Sequence, residues 1–402
     1  MKFKFKAKTK EGEMVNSVFE ASDRAEGLIE LKKNYETVLF IEEKKGSSLE
    51  ISFNFFKKVK MKDKIMFTKN VSGMLEAGIS ISRALQILER QTKNKYFKDI
   101  IADIESSIAK GDSFSAGLAR HPKTFPTIFV SMIKAGEESG GMVGALREVG
   151  SNLEKSYALN KKIKGAMMYP SVILAAIVII GILMMIFVVP TLTKTFKSLG
   201  VKLPATTRFI IGTSDFMANN PIMIFVILFG LIAFFYLIFK LKKVKRMADY
   251  VIPRLPGVGT IVTETYTART ARTLSSLILA GIDIGRAIEI TQNVVENTYY
   301  KDILIEAKET VQKGGTLSSV FKTNTKLYPV MLGEMVEVGE ETGKLSNMLA
   351  DIATFYEGEV DAKTKNLSTI IEPVLMIFIG VAVGFFAVSM LSPMYSLMDS
   401  IN

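Results

Sequence analysis

Ala135–Leu146 reads AGEESGGMVGAL, and Val338–Leu349 reads VGEETGKLSNML. A motif written twice is either a binding loop used twice or the trace of a copied domain. Sliding the chain along itself by 203 positions decides between them. EAGISISRAL, from Glu76, falls on LAGIDIGRAI, from Leu279; Tyr96 falls on Tyr299, Lys110-Gly111 on Lys313-Gly314, and Phe125-Pro126 on Tyr328-Pro329. Pro170 falls on Pro373. The match runs without a gap over roughly a hundred residues, which is a duplicated domain and not a shared loop.

Within each copy the apolar residues recur with helical spacing. Ile65, Val71, Met74 and Leu75 lead to Gly78, where glycine ends the helix, as Gly281 does in copy two. Ser80, or Asp283 in copy two, is placed to cap the next helix, whose apolar face is Ile81, Ala84, Leu85 and Leu88. Ile100, Ile104 and Ile108 mark another helix, stopped by Gly111. Pro126 and Pro329 fit the first turn of the helices that follow, where a missing N–H costs nothing. Gly136 and Gly339 are expected to close those helices, and Met142, Leu146, Val149 and Leu153 form the next stripe. Each copy reads as a bundle of about six short helices.

The repeated G-E-E-[Ser/Thr]-G admits three uses. The residues favour an interhelical turn, with Gly136, Gly140, Gly339 and Gly343 supplying backbone freedom and the acids placed near a helix N-terminus. A surface contact for a basic partner through Glu137, Glu138, Glu340 and Glu341 is the second, and a divalent cation the third. Two adjacent carboxylates fall short of a calcium loop, which wants six or more oxygens. GEETGKL also resembles a phosphate loop, but it has three residues between its glycines, and Leu345 stands where Ser or Thr is required.

Three uncharged apolar runs, Val172–Val189, Pro221–Phe239 and Val374–Leu391, are each long enough to cross a hydrocarbon core of about 30 Å as a helix. The chain has 402 residues, 48% of them hydrophobic, and a net charge of +11. The basic residues set the orientation. Lys161, Lys162 and Lys164 precede the first run, Lys240, Lys242, Lys243, Lys245 and Arg246 follow the second, and Lys363 and Lys365 precede the third. The tail SPMYSLMDSIN has no basic residue. By the positive-inside rule the N-terminus is cytoplasmic and the C-terminus external. Two spans separate the copies, so both return to the cytoplasmic face. Topology and anionic lipid account for the basic surplus, and nucleic acid is not needed.

Other classes are excluded by composition. There is no cysteine, so disulfides, thiolate nucleophiles and Cys-based zinc sites are ruled out. The single histidine, His121, has Asn324 as its counterpart, which leaves no Ser-His-Asp triad and no His-rich metal site. No catalytic residue, cofactor or metal is expected. A transporter or channel is a second reading, but three spans with almost no polar residue offer no solute path unless many copies assemble. A membrane enzyme lacks a convergent constellation, buried carboxylates aside.

The expected order is a small N-terminal α+β domain (1–45), a linker (46–63) and repeat 1 (64–170). The first span (171–190), an external loop (191–220) and the second span (221–239) come next. A basic cytoplasmic linker (240–265), repeat 2 (266–372), the third span (373–392) and an external tail (393–402) complete it. The opening MKFKFKAKTKEGE alternates Phe and Lys and lacks an apolar h-region, so no secretory signal is expected there. FKFKAKT and MVNSVFEA form a hairpin about Glu11-Gly12, Ala25, Leu28 and Leu31 lie on a helix, and TVLFIEE is a closing strand. The basic linker stretch SFNFFKKVKMKDK reads as a solvated leader or, less well, as a membrane-surface segment. Tyr169, Pro170, Glu372 and Pro373 mark the membrane entries, and Gly380 and Gly384 form a G-x-x-x-G face that lets another helix approach.

The two A-G-I-x-I segments, the paired F/Y-P and G-E-E-x-G turns, and KKIKGAMMYP leading into a span that closes on Val188-Val189-Pro190 occur together in one chain. In this combination the chain resembles the inner-membrane platform proteins of type IV pilus assembly and type II secretion, the PilC/GspF family. The fold class is then mainly α, a polytopic membrane protein with three transmembrane helices and two tandem-duplicated cytoplasmic bundles. The resemblance implies a non-enzymatic scaffold in the bacterial cytoplasmic membrane. Its implied partners are a cytoplasmic hexameric ATPase, pilin or pseudopilin transmembrane helices, other inner-membrane assembly proteins and further copies of itself. The pilus machine is the favoured setting and type II secretion the alternative.

Overall fold

The computed structural model describes residues 2–8, 14–20, 31, 37–43, 58–198 and 203–401. They fall into two compact units that divide after Lys58. In the first unit, β1 (Lys2–Lys8) is the middle strand of a three-stranded antiparallel sheet, between β2 (Met14–Glu20) and β3 (Thr37–Glu43). Phe5 pairs with Ser17 on one side and Ile41 on the other, with a register shift between Lys6 and Ala7 against β3. This is the expected hairpin and closing strand. Its turn at Glu11-Gly12 and the helix bearing Ala25 and Leu28 lie outside the described residues, as does 46–57 of the linker.

The described residues of the second unit form helices joined by short turns. Repeat 1 comprises α1 (Met61–Glu76), α2 (Ile81–Gln91), α3 (Lys95–Ala109), α4 (Phe114–Ala119), α5 (Thr127–Glu138) and α6 (Met142–Ala166). Helix α6 runs on through α7 (Met168–Leu183), a π-helical turn (Met184–Val188) and α8 (Val189–Ser198). The wider turn precedes Pro190, whose ring and missing N–H are incompatible with an unbroken i→i−4 ladder. Between the first two spans, 191–198 and 205–219 are helical where a loop was expected. There α9 (Ala205–Asn219) returns to the end of the third span, burying Ile210 and Ile211 with Val189, Phe196 and Met390. The second span is α10 (Pro221–Lys240), with proline at its first position, and α11 (Lys242–Val251) follows it.

Repeat 2 rebuilds the bundle. It consists of α12 (Val258–Leu279), α13 (Ile284–Val294), α14 (Thr298–Gln312), α15 (Leu317–Thr323), α16 (Val330–Thr342) and α17 (Leu345–Ile401). Positive φ recurs at the same offset, at Gly78, Gly111 and Gly140 and again at Gly281, Gly314 and Gly343. Caps recur too. Asn94 and Asn297 accept first-turn N–H groups of α3 and α14, and Ser113 and Thr316 those of α4 and α15. Asp283 caps α13 through Gly285 N and Arg286 N, whereas Ser80 makes no such bond to α2.

The cores differ in one chemical detail. Phe67, Phe97 and Phe125 cluster in repeat 1 with ring centroids 5.6 to 6.3 Å apart. Repeat 2 has Thr270, Tyr300 and Tyr328 there. The added hydroxyls are satisfied: Tyr328 and Thr270 share a bond of 3.0 Å, and Tyr300 donates to the Leu327 carbonyl at 3.0 Å. Burial pushes both phenols up, Tyr300 to about 12.

Three helices, Met142–Phe196, Ile222–Lys240 and Leu345–Pro393, are long and apolar enough to cross a membrane, and the most apolar stretch of each is largely uncovered by the rest of the chain, 6%, 6% and 17% of it being buried. Helix α17 carries repeat 2 into the third span without a break, and at about 1.5 Å per residue its 57 residues extend roughly 85 Å.

Candidate functional site

Gly136 and Gly339 lie inside α5 and α16 and do not close them. A Cβ on Gly136 would sit 2.2 Å from Cβ of Ala145, and one on Gly339 would sit 2.8 Å from Cα of Leu345. Glycine is needed there because α5 crosses α6, and α16 crosses α17, at backbone contact. The left-handed residues that end these helices are Gly140 (φ 74°) and Gly343 (φ 68°), and Gly78 and Gly281 do the same for α1 and α12.

The four glutamates divide into two pairs. Glu137 reaches back to α4, where Oε1 accepts from Phe114 N at 2.7 Å and Oε2 from Ser115 N at 3.1 Å and from Ser115 Oγ. Glu340 accepts from Leu317 N at 2.6 Å and Ser318 N at 3.1 Å. In each copy a carboxylate satisfies free N–H donors of a first helical turn and meets its positive end. Glu137 and Glu340 are therefore committed within their bundles. Glu138 and Glu341 are exposed, and Glu138 makes a surface pair with Lys134 at 3.6 Å. Nothing in the sequence marks this division, because the bonded N–H groups lie 22 and 23 residues upstream.

His121 is a structural residue. Its Nε2 bonds Asp103 Oδ2 at 2.8 Å, and its counterpart Asn324 donates from Nδ2 to Glu306 at 3.4 Å, Glu306 being the counterpart of Asp103. Among the described residues no group of three or more His, Asp or Glu is placed to hold a metal ion.

The two repeats share one apolar core and meet along a polar seam that the sequence reading did not foresee. Helix α12 lies between α17 and α6. Asn152 Nδ2 donates to Ser276 Oγ at 3.0 Å, and Ser276 Oγ donates to Glu148 at 2.7 Å. Arg269 donates to Asn160, and Lys162 pairs with Asp361 at 3.1 Å. Hydrogen bonds from Lys365 and Lys162 hold the Asp361 carboxyl below its ordinary range. Beside this seam a cleft of about 390 Å³ is lined from repeat 1 by residues including Ile128, Asn152 and Asn160, and from repeat 2 by residues including Arg269, Thr273 and Val294.

At the membrane entries, Pro170 is buried in the first turn of α7 and Tyr169 is half-exposed, while Glu372 and Pro373 lie exposed on α17. Proline within α17 leaves the carbonyl four residues back without its helical donor. A Cβ on Gly380 or Gly384 would meet nothing within 4 Å, so among the described residues no helix packs on that face. The site residues thus do not converge on one pocket; they form paired bundle contacts and uncovered helix surfaces.

Comparison with known proteins gives the same division. The model of the family described as "Type II secretion system (T2SS), protein F" matches twice, over residues 67–190 and 270–393. The type IV pilus assembly protein PilC of Thermus thermophilus is 32% identical over 100% of this chain and 99% of its own length. PilC of Myxococcus xanthus is 30% identical over 100% and 96%. The type II secretion system protein F of Aeromonas hydrophila is 31% identical over 84% and 87%.

Proposed function

The chain belongs to the type II secretion system protein F family, and on that premise we propose that it is the inner-membrane platform of a type IV pilus assembly machine. The observation that carries this reading is end-to-end similarity, at 30–32% identity, to relatives named type IV pilus assembly proteins. The relatives named for type II secretion align at 26–31%.

In this role the protein is a scaffold and catalyses nothing. Both bundles stand in the cytoplasm, with the C-terminus external, as the lysine and arginine bias requires. They contact a hexameric assembly ATPase, for which Glu138 and Glu341 are exposed acidic contacts in equivalent positions. The three spans contact pilin helices and other inner-membrane assembly proteins. The continuous α17 supports this coupling, since a displacement of repeat 2 is carried into the bilayer along one helix. The same arrangement serves a type II secretion platform.

Deleting the gene and imaging surface filaments while profiling secreted proteins tests the assignment. Loss of filaments, restored by complementation, is the expected result. Lost exoproteins with intact filaments would move the protein to type II secretion, and no change in either, with the machinery expressed, would overturn the platform reading.

A further inference from the structure

The contact between the repeats is not reciprocal. Repeat 1 uses α5 and α6 to cover α12 and α13 of repeat 2, α6 also packing along α17, and in a fully reciprocal arrangement the equivalent face of repeat 2 would cover repeat 1 equally. Comparing burial at equivalent positions shows otherwise. Asn152, at the seam, is 9% exposed, whereas its counterpart Phe355 is 47% exposed. Met331, Glu334 and Val338 on α16 are exposed where Ile128, Ser131 and Ala135 on α5 are partly covered. On the receiving side, Arg272, Thr273 and Ser276 are buried, and their counterparts Lys69, Asn70 and Gly73 are exposed. Apart from the α6–α17 packing, each chain therefore presents one unused donor face, on repeat 2, and one unused receiving face, on repeat 1.

We propose that repeat 2 of one copy seats on repeat 1 of the next, head to tail, in the manner in which repeat 1 seats on repeat 2 inside each chain. Two features identify the occupant as a second copy. The receiving face carries a groove of about 330 Å³, and four of its lining positions, Met66, Asn70, Gln91 and Lys93, are the counterparts of Arg269, Thr273, Val294 and Glu296 in the internal cleft. The central contact is exchanged in size. Within the chain Asn152 meets Ser276; between chains Phe355 meets Gly73, above which a Cβ would find nothing within 4 Å. A larger donor thus faces a smaller receiver, which conserves volume across the contact. A heterologous contact of this kind propagates and closes into a ring if the rotation allows.

The chain has no cysteine, so disulfide trapping is free of background. Two differently tagged full-length copies, one carrying Gly73→Cys and the other Phe355→Cys, are co-expressed and their membranes mildly oxidised. Asn152→Cys with Ser276→Cys in a single chain is the positive control and closes internally. Lys110→Cys, exposed and outside the contact, controls for random collision. The expected result is a disulfide dimer bearing both tags at least several-fold above the Lys110→Cys level, with neither single variant dimerising with itself. Absence of the mixed dimer while the internal control closes would overturn the proposal. Preferential Gly73–Gly73 or Phe355–Phe355 cysteine pairs would overturn it too, by showing two-fold association, as would a Phe355→Cys adduct formed with another protein in place of the second copy. Because the readout is a bond between copies, it stands or falls independently of which machine the platform serves.

Discussion

Glu137 and Glu138 are neighbours of identical chemistry with different work. Glu137 closes the N-terminus of α4 through three hydrogen bonds, while Glu138 faces solvent. Glu137→Ala is expected to cost about 1–2 kcal/mol, the range of a lost helix cap. Glu138→Ala is expected to stay within about 0.5 kcal/mol, as exposed substitutions do. Thermal unfolding of the purified protein compares them, and equal shifts would contradict the clamp. Sequence reading went as far as the turn and its glycines and no further. It placed Gly78, Gly140, Gly281 and Gly343 in turns because a left-handed residue after a helix leaves a local mark. It misplaced the ends at Gly136 and Gly339 because a glycine demanded by helix crossing looks the same in one dimension as a glycine demanded by φ.

Among the elements, the helix pairs show how one interaction changes value with its surroundings. Lys69–Glu154 joins α1 to α6, and Arg272–Glu357 joins α12 to α17 at equivalent positions. The first pair is 53% and 54% exposed, the second 9% and 20%. Arg272 binds Glu357 through two nitrogens at 2.9 and 3.0 Å and also reaches Thr354 at 2.9 Å. Arg272→Ala strands a half-buried carboxylate and is expected to cost about 3 kcal/mol. Lys69→Ala is expected to cost less than about 1 kcal/mol in the solubilised monomer, because water screens the pair. Denaturant unfolding of both variants checks this, and a Lys69→Ala loss as large as that of Arg272→Ala would refute it. The helices themselves were legible from apolar spacing, caps and prolines. The helical character of 191–198 and 205–219 was not, since their cover comes from Met390 at the far end of the chain.

For the whole molecule, duplication is the organising fact, and it was readable at once because alignment at a fixed offset needs no knowledge of packing. How the copies meet was not readable. The seam joins Asn152 to Ser276 and Arg269 to Asn160, pairs more than a hundred residues apart with no local signature. The parity of the spans carries the functional claim, since a platform driven from the cytoplasm needs both bundles on that side. Single cysteines at Glu138, Glu341 and Thr206, labelled in intact cells with a membrane-impermeant thiol reagent before and after permeabilisation, test it directly. Thr206, between the first two spans, should label in intact cells, and positions 138 and 341 only after permeabilisation. Labelling of either bundle from outside, or of the two bundles from opposite sides, would contradict a cytoplasmic platform built from two like-facing repeats.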